Sequence, residues 1–139
     1  MYERLLVAID HSGMTGRVLE AARGLAQLSD GEVQVLHVRE LQPAGKFAAP
    51  MDAEDSGEVQ QAVDAAVSQF TAAGVKAHGL IRRTLYGYAA REIVGCASQH
   101  DAGVIVMGSK GHSDLVGLLL GSTAHKVIHL ADRPVLIVR

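Results

Sequence analysis

Residues 104–124 read Val-Ile-Val-Met-Gly-Ser-Lys-Gly-His-Ser-Asp-Leu-Val-Gly-Leu-Leu-Leu-Gly-Ser-Thr-Ala. A β-branched run, Val104 to Val106, passes through Met107 into a glycine-punctuated loop, and a helical pattern resumes at Gly121-Ser122-Thr123. The spacing is Gly108, two residues, Gly111, nine residues, Gly121, then Ser122. A strand that feeds a glycine loop and then a helix start makes an anion site. Glycines let backbone amides approach a phosphate, and the first helical turn leaves its own amides without intrahelical partners. Ser122 is well typed for the N-cap. The plain alternative is a turn that merely links strand to helix. The stretch is neither a Walker A loop, since Lys110 precedes Gly111, nor the dinucleotide fingerprint, since no G-x-G-x-x-G occurs. The reading that the whole chain supports is a nucleotide phosphate site.

Working outward, residues 4–9 (Arg-Leu-Leu-Val-Ala-Ile) form a nearly continuous apolar run, as expected of a buried parallel strand. After Asp10-His11-Ser12-Gly13, apolar positions Val18, Ala21, Ala22, Leu25 and Leu28 recur at helical spacing. Ser12 is the expected N-cap and Ser29-Asp30-Gly31 the stop. Val33 to Val38 reads as a second strand. Residues 40–57 then break the rhythm, with two prolines and no apolar period. At about eighteen residues the stretch exceeds an ordinary connection and reads as mobile or functional.

From Ser56, Val59, Val63, Ala66, Val67 and Phe70 mark a helix closed by Gly74. Val75 to about Leu85 alternates apolar and polar, as an edge strand does. A third helix buries Ala89, Ile93, Val94 and Ala97, a fourth runs from about Thr123 to Ala131 with Val127 and Ile128 inward, and Pro134 to Val138 is a last strand. Five strands alternating with four helices over residues 1–139 predict a single-domain, doubly wound α/β/α sandwich. In such a sandwich, ligands sit beyond the strands' carboxyl ends at a switch point. Asp10 then faces the glycine loop. Two roles stand open for it: holding a ribose hydroxyl or Mg²⁺ near phosphates, or capping the following helix with Ser12.

Composition narrows the classes. The 139-residue chain is 48% hydrophobic and 20% charged with a net charge of −2, so no strong field draws nucleic acid or an anionic membrane. Aromatic residues are 4% and tryptophan is absent, against base-stacking platforms. The single cysteine, Cys96, excludes an intrachain disulfide and reads as a buried small hydrophobe. The first ten residues are charged early and do not read as a secretory signal, and no apolar run approaches membrane-spanning length, so a cytoplasmic location is expected. His125 and His129 stand at i and i+4, read as solvated histidines at a helix end rather than as metal ligands. The acidic cluster Asp52, Glu54, Asp55 and Glu58 reads as a solvated loop opening a helix, not a cation site.

These segments resemble the universal stress protein family along the whole chain. The features that carry the resemblance are Val7-Ala8-Ile9-Asp10, Val35-Leu36-His37-Val38, Val104 to Gly108, the loop G-x2-G-x9-G-S and the ending Arg133-Pro-Val-Leu-Ile-Val-Arg139. The glycine spacing followed by serine resembles the ATP-binding branch. The resemblance implies a Rossmann-like, adenine-nucleotide-binding fold with a five-stranded parallel sheet ordered 3-2-1-4-5. It also implies a homodimer made by pairing residues 134–138. Carried over by position, Ala8, Ile9, Asp10 and Val38 flank adenine and ribose, and Met107 and Gly108 lie under the ribose. Gly111, Gly121, Ser122 and Thr123 contact the phosphates, with Lys110 and His112 adding charge from the loop. His11 stands where the family often has Gly or Phe, so the adenine-side wall departs from that pattern.

The function so implied is a dimeric, ATP-binding stress-response regulator, with Mg²⁺ as an accompanying ion, no nucleic-acid or membrane partner and an unidentified regulated protein. A slow ATP hydrolase and a nucleotide-free structural dimer are the rivals. No residue stands out as an arginine finger or water-positioning glutamine, so catalysis is not the leading expectation.

Overall fold

The structure, a computed structural model, describes residues 1–43, 51–52, 54–111 and 120–139. The elements run β1 (Arg4–Ile9), α1 (Thr15–Ser29), β2 (Glu32–Gln42), β3 (Met51–Asp52), α2 (Ser56–Ala72), β4 (Ala77–Leu85), α3 (Ala89–Gln99), β5 (Val104–Gly108), α4 (Ser122–Leu130) and β6 (Val135–Val138). Five strands are parallel and ordered β4-β2-β1-β5-β6, the expected 3-2-1-4-5. The chain starts in the middle of the sheet, winds outward to one edge, then returns past β1 to fill the other. That reversal leaves the carboxyl ends of β1 and β5 side by side.

Side-chain alternation on β1 builds two cores from one strand. Leu5, Val7 and Ile9 pack with Val18, Leu19, Ala22 and Ala26 of α1 and with Val63, Ala66 and Phe70 of α2. Leu6 turns the other way, to Ala90, Ile93 and Ala97 of α3 and Ala124 and Val127 of α4. Cys96 is buried in this second core, and burial pushes its thiol pKa up, with Arg82 partly opposing. It is the small hydrophobe its position suggests. Among the described residues no helix is long and apolar enough to cross a membrane.

Several expectations are corrected. β2 does not stop at Val38. Glu40 and Leu41 continue it, paired in register with Thr84 and Leu85, because β4 supplies a partner along its whole length. Its tip then pairs antiparallel with β3, Leu41 opposite Asp52 and Gln42 opposite Met51. So the 40–57 stretch is partly sheet; residues 44–50 and 53 lie outside the described residues. Ser12 does not cap α1: the helix starts at Thr15 behind Met14, which makes no side-chain cap. Gly121, not Ser122, is the N-cap of α4, and Ser122 is its first residue. Two apolar positions face outward, Leu28 (89% exposed) and Ile128 (47%), because Ala26 and Val127 occupy the inward positions of their turns.

The signals read at the start of α2, the end of α1 and along β4 hold. Asp55 caps α2 by accepting from the Glu58 amide at 3.0 Å, with Glu58 in the favourable first turn. Asp30 closes α1 in the left-handed region, φ 52°. Among the described residues β4 pairs with β2 alone and is half exposed, as an edge strand should be. At Gly79 the strand lets α2 come close: a Cβ there would meet Val63 Cγ1 at 2.5 Å and Val67 Cγ2 at 3.4 Å.

Gly79→Val should therefore cost about 1–3 kcal/mol through overpacking. Gly24→Ala, in the exposed middle of α1 where a Cβ meets nothing within 4 Å, should gain about 0.5–1 kcal/mol. Urea unfolding of both variants checks the opposite signs. A thiol reagent added to native protein should leave Cys96 unmodified until the chain unfolds.

Candidate functional site

The crevice forms where β1 and β5 end. Past Ile9 the chain makes a tight turn: the Ser12 amide donates to Asp10 Oδ1 at 2.8 Å, and the Thr15 hydroxyl donates to the Asp10 carbonyl at 2.7 Å. Short polar side chains that bond neighbouring backbone favour such turns over an earlier helix start. Asp10 thus serves the turn, with one carboxylate oxygen committed to it. Past Gly108, the buried Ser109 donates its amide to the Val138 carbonyl at 2.8 Å, and its own carbonyl accepts from the Gly121 amide. This bond brings the start of α4 back to the end of β5.

The space between is a cavity of about 660 Å³, within the range of small-molecule sites. Of the residues expected to hold a ligand, Ala8, Ile9, Asp10, Val38, Met107, Gly108, Gly111, Ser122 and Thr123 all line it, as does Lys110. Gly121 stands behind the lining, its amide engaged with Ser109. His112 lies outside the described residues. No carbonyl among the described residues accepts from the Thr123 or Ala124 amides, the groups that a helix start leaves over.

Charge divides the lining into two ends. Lys110 and the positive end of the α4 dipole face the β5 side, where an anion is favoured. Glu40, Glu54, Asp55 and Glu58 gather beyond β2.

That second end holds residues that the sequence reading missed. His37 is 2% exposed, and its Nε2 lies 2.8 Å from Glu54 Oε2. His11 Nε2 lies 2.8 Å from the same oxygen, and the two imidazoles are 5.1 Å apart, centroid to centroid. Arg39 fixes the segment by donating to the Glu54 carbonyl at 2.9 Å. Glu54 is therefore turned in toward the crevice, which corrects its reading as part of a solvated acidic cluster. The signal lay in β2: Val33 and Val35 face the α1–α2 core, so period 2 puts His37 and Arg39 on that same face and buries them.

The chain is similar in sequence and in fold to known proteins. The sequence model of the Universal stress protein family matches residues 1–139. The chain is 34% identical to universal stress protein YxiE of Bacillus subtilis, over 100% of both chains. It is 31% identical to universal stress protein MJ0531 of Methanocaldococcus jannaschii, covering 100% of this chain and 83% of that one. Among solved structures it is similar to the universal stress protein of Archaeoglobus fulgidus in complex with dAMP, at 27% identity and a TM-score of 0.74, covering 99% of this chain and 98% of the other.

Proposed function

This chain belongs to the universal stress protein family, and on that premise we propose that its crevice binds ATP and that the protein is a dimeric, nucleotide-dependent stress-response regulator. One observation carries the reading. A single cavity joins the end of β1, the end of β5 and the start of α4, where no carbonyl among the described residues accepts from the Thr123 and Ala124 amides. The dAMP complex of the similar Archaeoglobus fulgidus protein supports an adenine nucleotide as the occupant class.

In this reading Ala8, Val38 and Met107 give the base and ribose an apolar bed. Asp10 takes a ribose hydroxyl with the carboxylate oxygen its own turn leaves available. Gly108 and Gly111 let the chain pass close to the phosphates. The Thr123 and Ala124 amides, the Ser122 and Thr123 hydroxyls and Lys110 hold the phosphates, with Mg²⁺ accompanying them. His112, which follows Gly111 in the sequence, adds positive charge when protonated. Differential affinity of the nucleotide for two arrangements of the dimer or of the segment before α2 would make occupancy a signal.

Dimerisation fits β6. Pro134 and Val138 turn their carbonyls to β5, accepting from the Ile105 and Ser109 amides. Period 2 therefore turns the backbone amides and carbonyls of Val135 and Ile137 outward, along an edge that pairs with nothing among the described residues. Their side chains pack against the α3–α4 core, with Leu136 exposed beside them.

Calorimetry with ATP, in Mg²⁺ buffer treated to remove transition metals, should give one site per chain. Gly111→Val and Gly121→Val should each weaken it at least about tenfold, roughly 1.4 kcal/mol. Absence of binding heat and of any thermal shift would refute nucleotide binding. Light scattering should give twice the 14.7 kDa chain mass. Ile137→Pro, which removes an outward amide but none facing β5, should halve it while leaving the circular dichroism unchanged.

A further inference from the structure

We propose that His11, His37 and Glu54 form a binding site for a divalent transition-metal ion of the zinc class, beside the nucleotide crevice and separate from its phosphate end. The three donors are positioned by three different parts of the fold. β2 holds His37 in register with Ile9 of β1. The turn after β1 brings His11 over it. Glu54 is fixed from both sides, by Arg39 on its own carbonyl and by Asp55, the next residue, capping α2.

The geometry is that of a ligand set. Two imidazole Nε2 atoms converge on one carboxylate oxygen at 2.8 Å each, and the three donor atoms lie within 4.8 Å of one another. A tetrahedral ion with bonds of about 2.0–2.1 Å keeps its ligand atoms roughly 3.3–3.4 Å apart. The histidine–carboxylate pairs would open by roughly half an ångström and the ion would replace the shared protons. Two imidazoles and a carboxylate select zinc, cobalt or another late divalent ion. Mg²⁺ and Ca²⁺ prefer an all-oxygen shell.

Three protein ligands leave a coordination position open, and all three residues line the crevice, so that position faces it. The ion would not occupy the nucleotide's place. Leu36 packs in the α3–α4 core with Val38 against it, while His37 between them turns to the α1–α2 side. Ala8, Val38 and Met107 therefore lie on one side of the sheet's end and the histidines on the other.

The structure also bounds the affinity. His37 Nδ1, which carries the proton once Nε2 binds a metal, has no hydrogen-bond partner among the described residues. Missing outer-shell support of this kind typically costs about 10–100-fold in metal affinity. A micromolar rather than a nanomolar site is expected.

The test uses full-length protein stripped of metal and free of nucleotide, titrated with Zn²⁺ by calorimetry and with Co²⁺ by visible absorption. One ion per chain, a four- or five-coordinate Co²⁺ spectrum and a Zn²⁺-dependent rise in Tm that Mg²⁺ does not reproduce are the supporting results. Glu54→Gln and His11→Ala should each weaken uptake at least about tenfold. His11 is partly exposed, so its variant keeps the test valid if changes at buried His37 fail to fold. The histidine pair on α4, His125 and His129, has rings 4.6 Å apart and is the control. His129→Ala should leave uptake unchanged. No saturable uptake, uptake indifferent to His11→Ala and Glu54→Gln, or uptake lost in His129→Ala would each overturn the site. Because the ATP titration is run without transition metals, either proposal can fail while the other stands.

Discussion

Everything in this molecule depends on β1 being buried on both faces. Leu5, Val7 and Ile9 anchor the core under α1 and α2, and Leu6 anchors the one under α3 and α4. A six-residue strand with so little polar surface has to sit in the middle of a parallel sheet. Once it does, the chain must leave on one side and return on the other, so the strand order reverses around it. The crevice is the gap produced by that reversal, and its position follows from packing before any ligand is considered.

The same constraint explains why polar groups accumulate at one end of the sheet. Along β2 the side chains facing α1 and α2 pass from Val33 and Val35 to His37 and Arg39. The first two have helix above them. The last two extend past the helices and meet the segment leading into α2, where Glu54 supplies the partner that buried histidine and arginine need. A strand longer than its covering helices thus turns from core into site.

The parallel sheet and the helices were legible in the sequence because each is a local pattern: the run at residues 4–9, the 3.6-residue period of α1 and α2, and the Gly121-Ser122 step where α4 begins. What escaped depends on pairing across the chain. Arg39 to Gln42 lacks β-branched residues and becomes strand only because β4 lies alongside it. Cap identity was missed at α1 and α4 because Ser12 and Ser122 are equally good caps on type alone; the turn around Asp10 and the bond from Gly121 to Ser109 decided otherwise. The convergence of His11, His37 and Glu54 joins positions far apart in sequence, and only the alternation of β2 hinted that one of them is buried.

The short antiparallel pairing of β3 with the tip of β2 has a consequence for how such a chain can diverge. Gln42 and Met51 are held opposite one another by the sheet, so the stretch joining them begins and ends at one place whatever its length. Lengthening a segment tethered in this way costs only about 0.6 kcal/mol for each doubling of its residues. New sequence could be accommodated there, next to the crevice rim, with neither core disturbed.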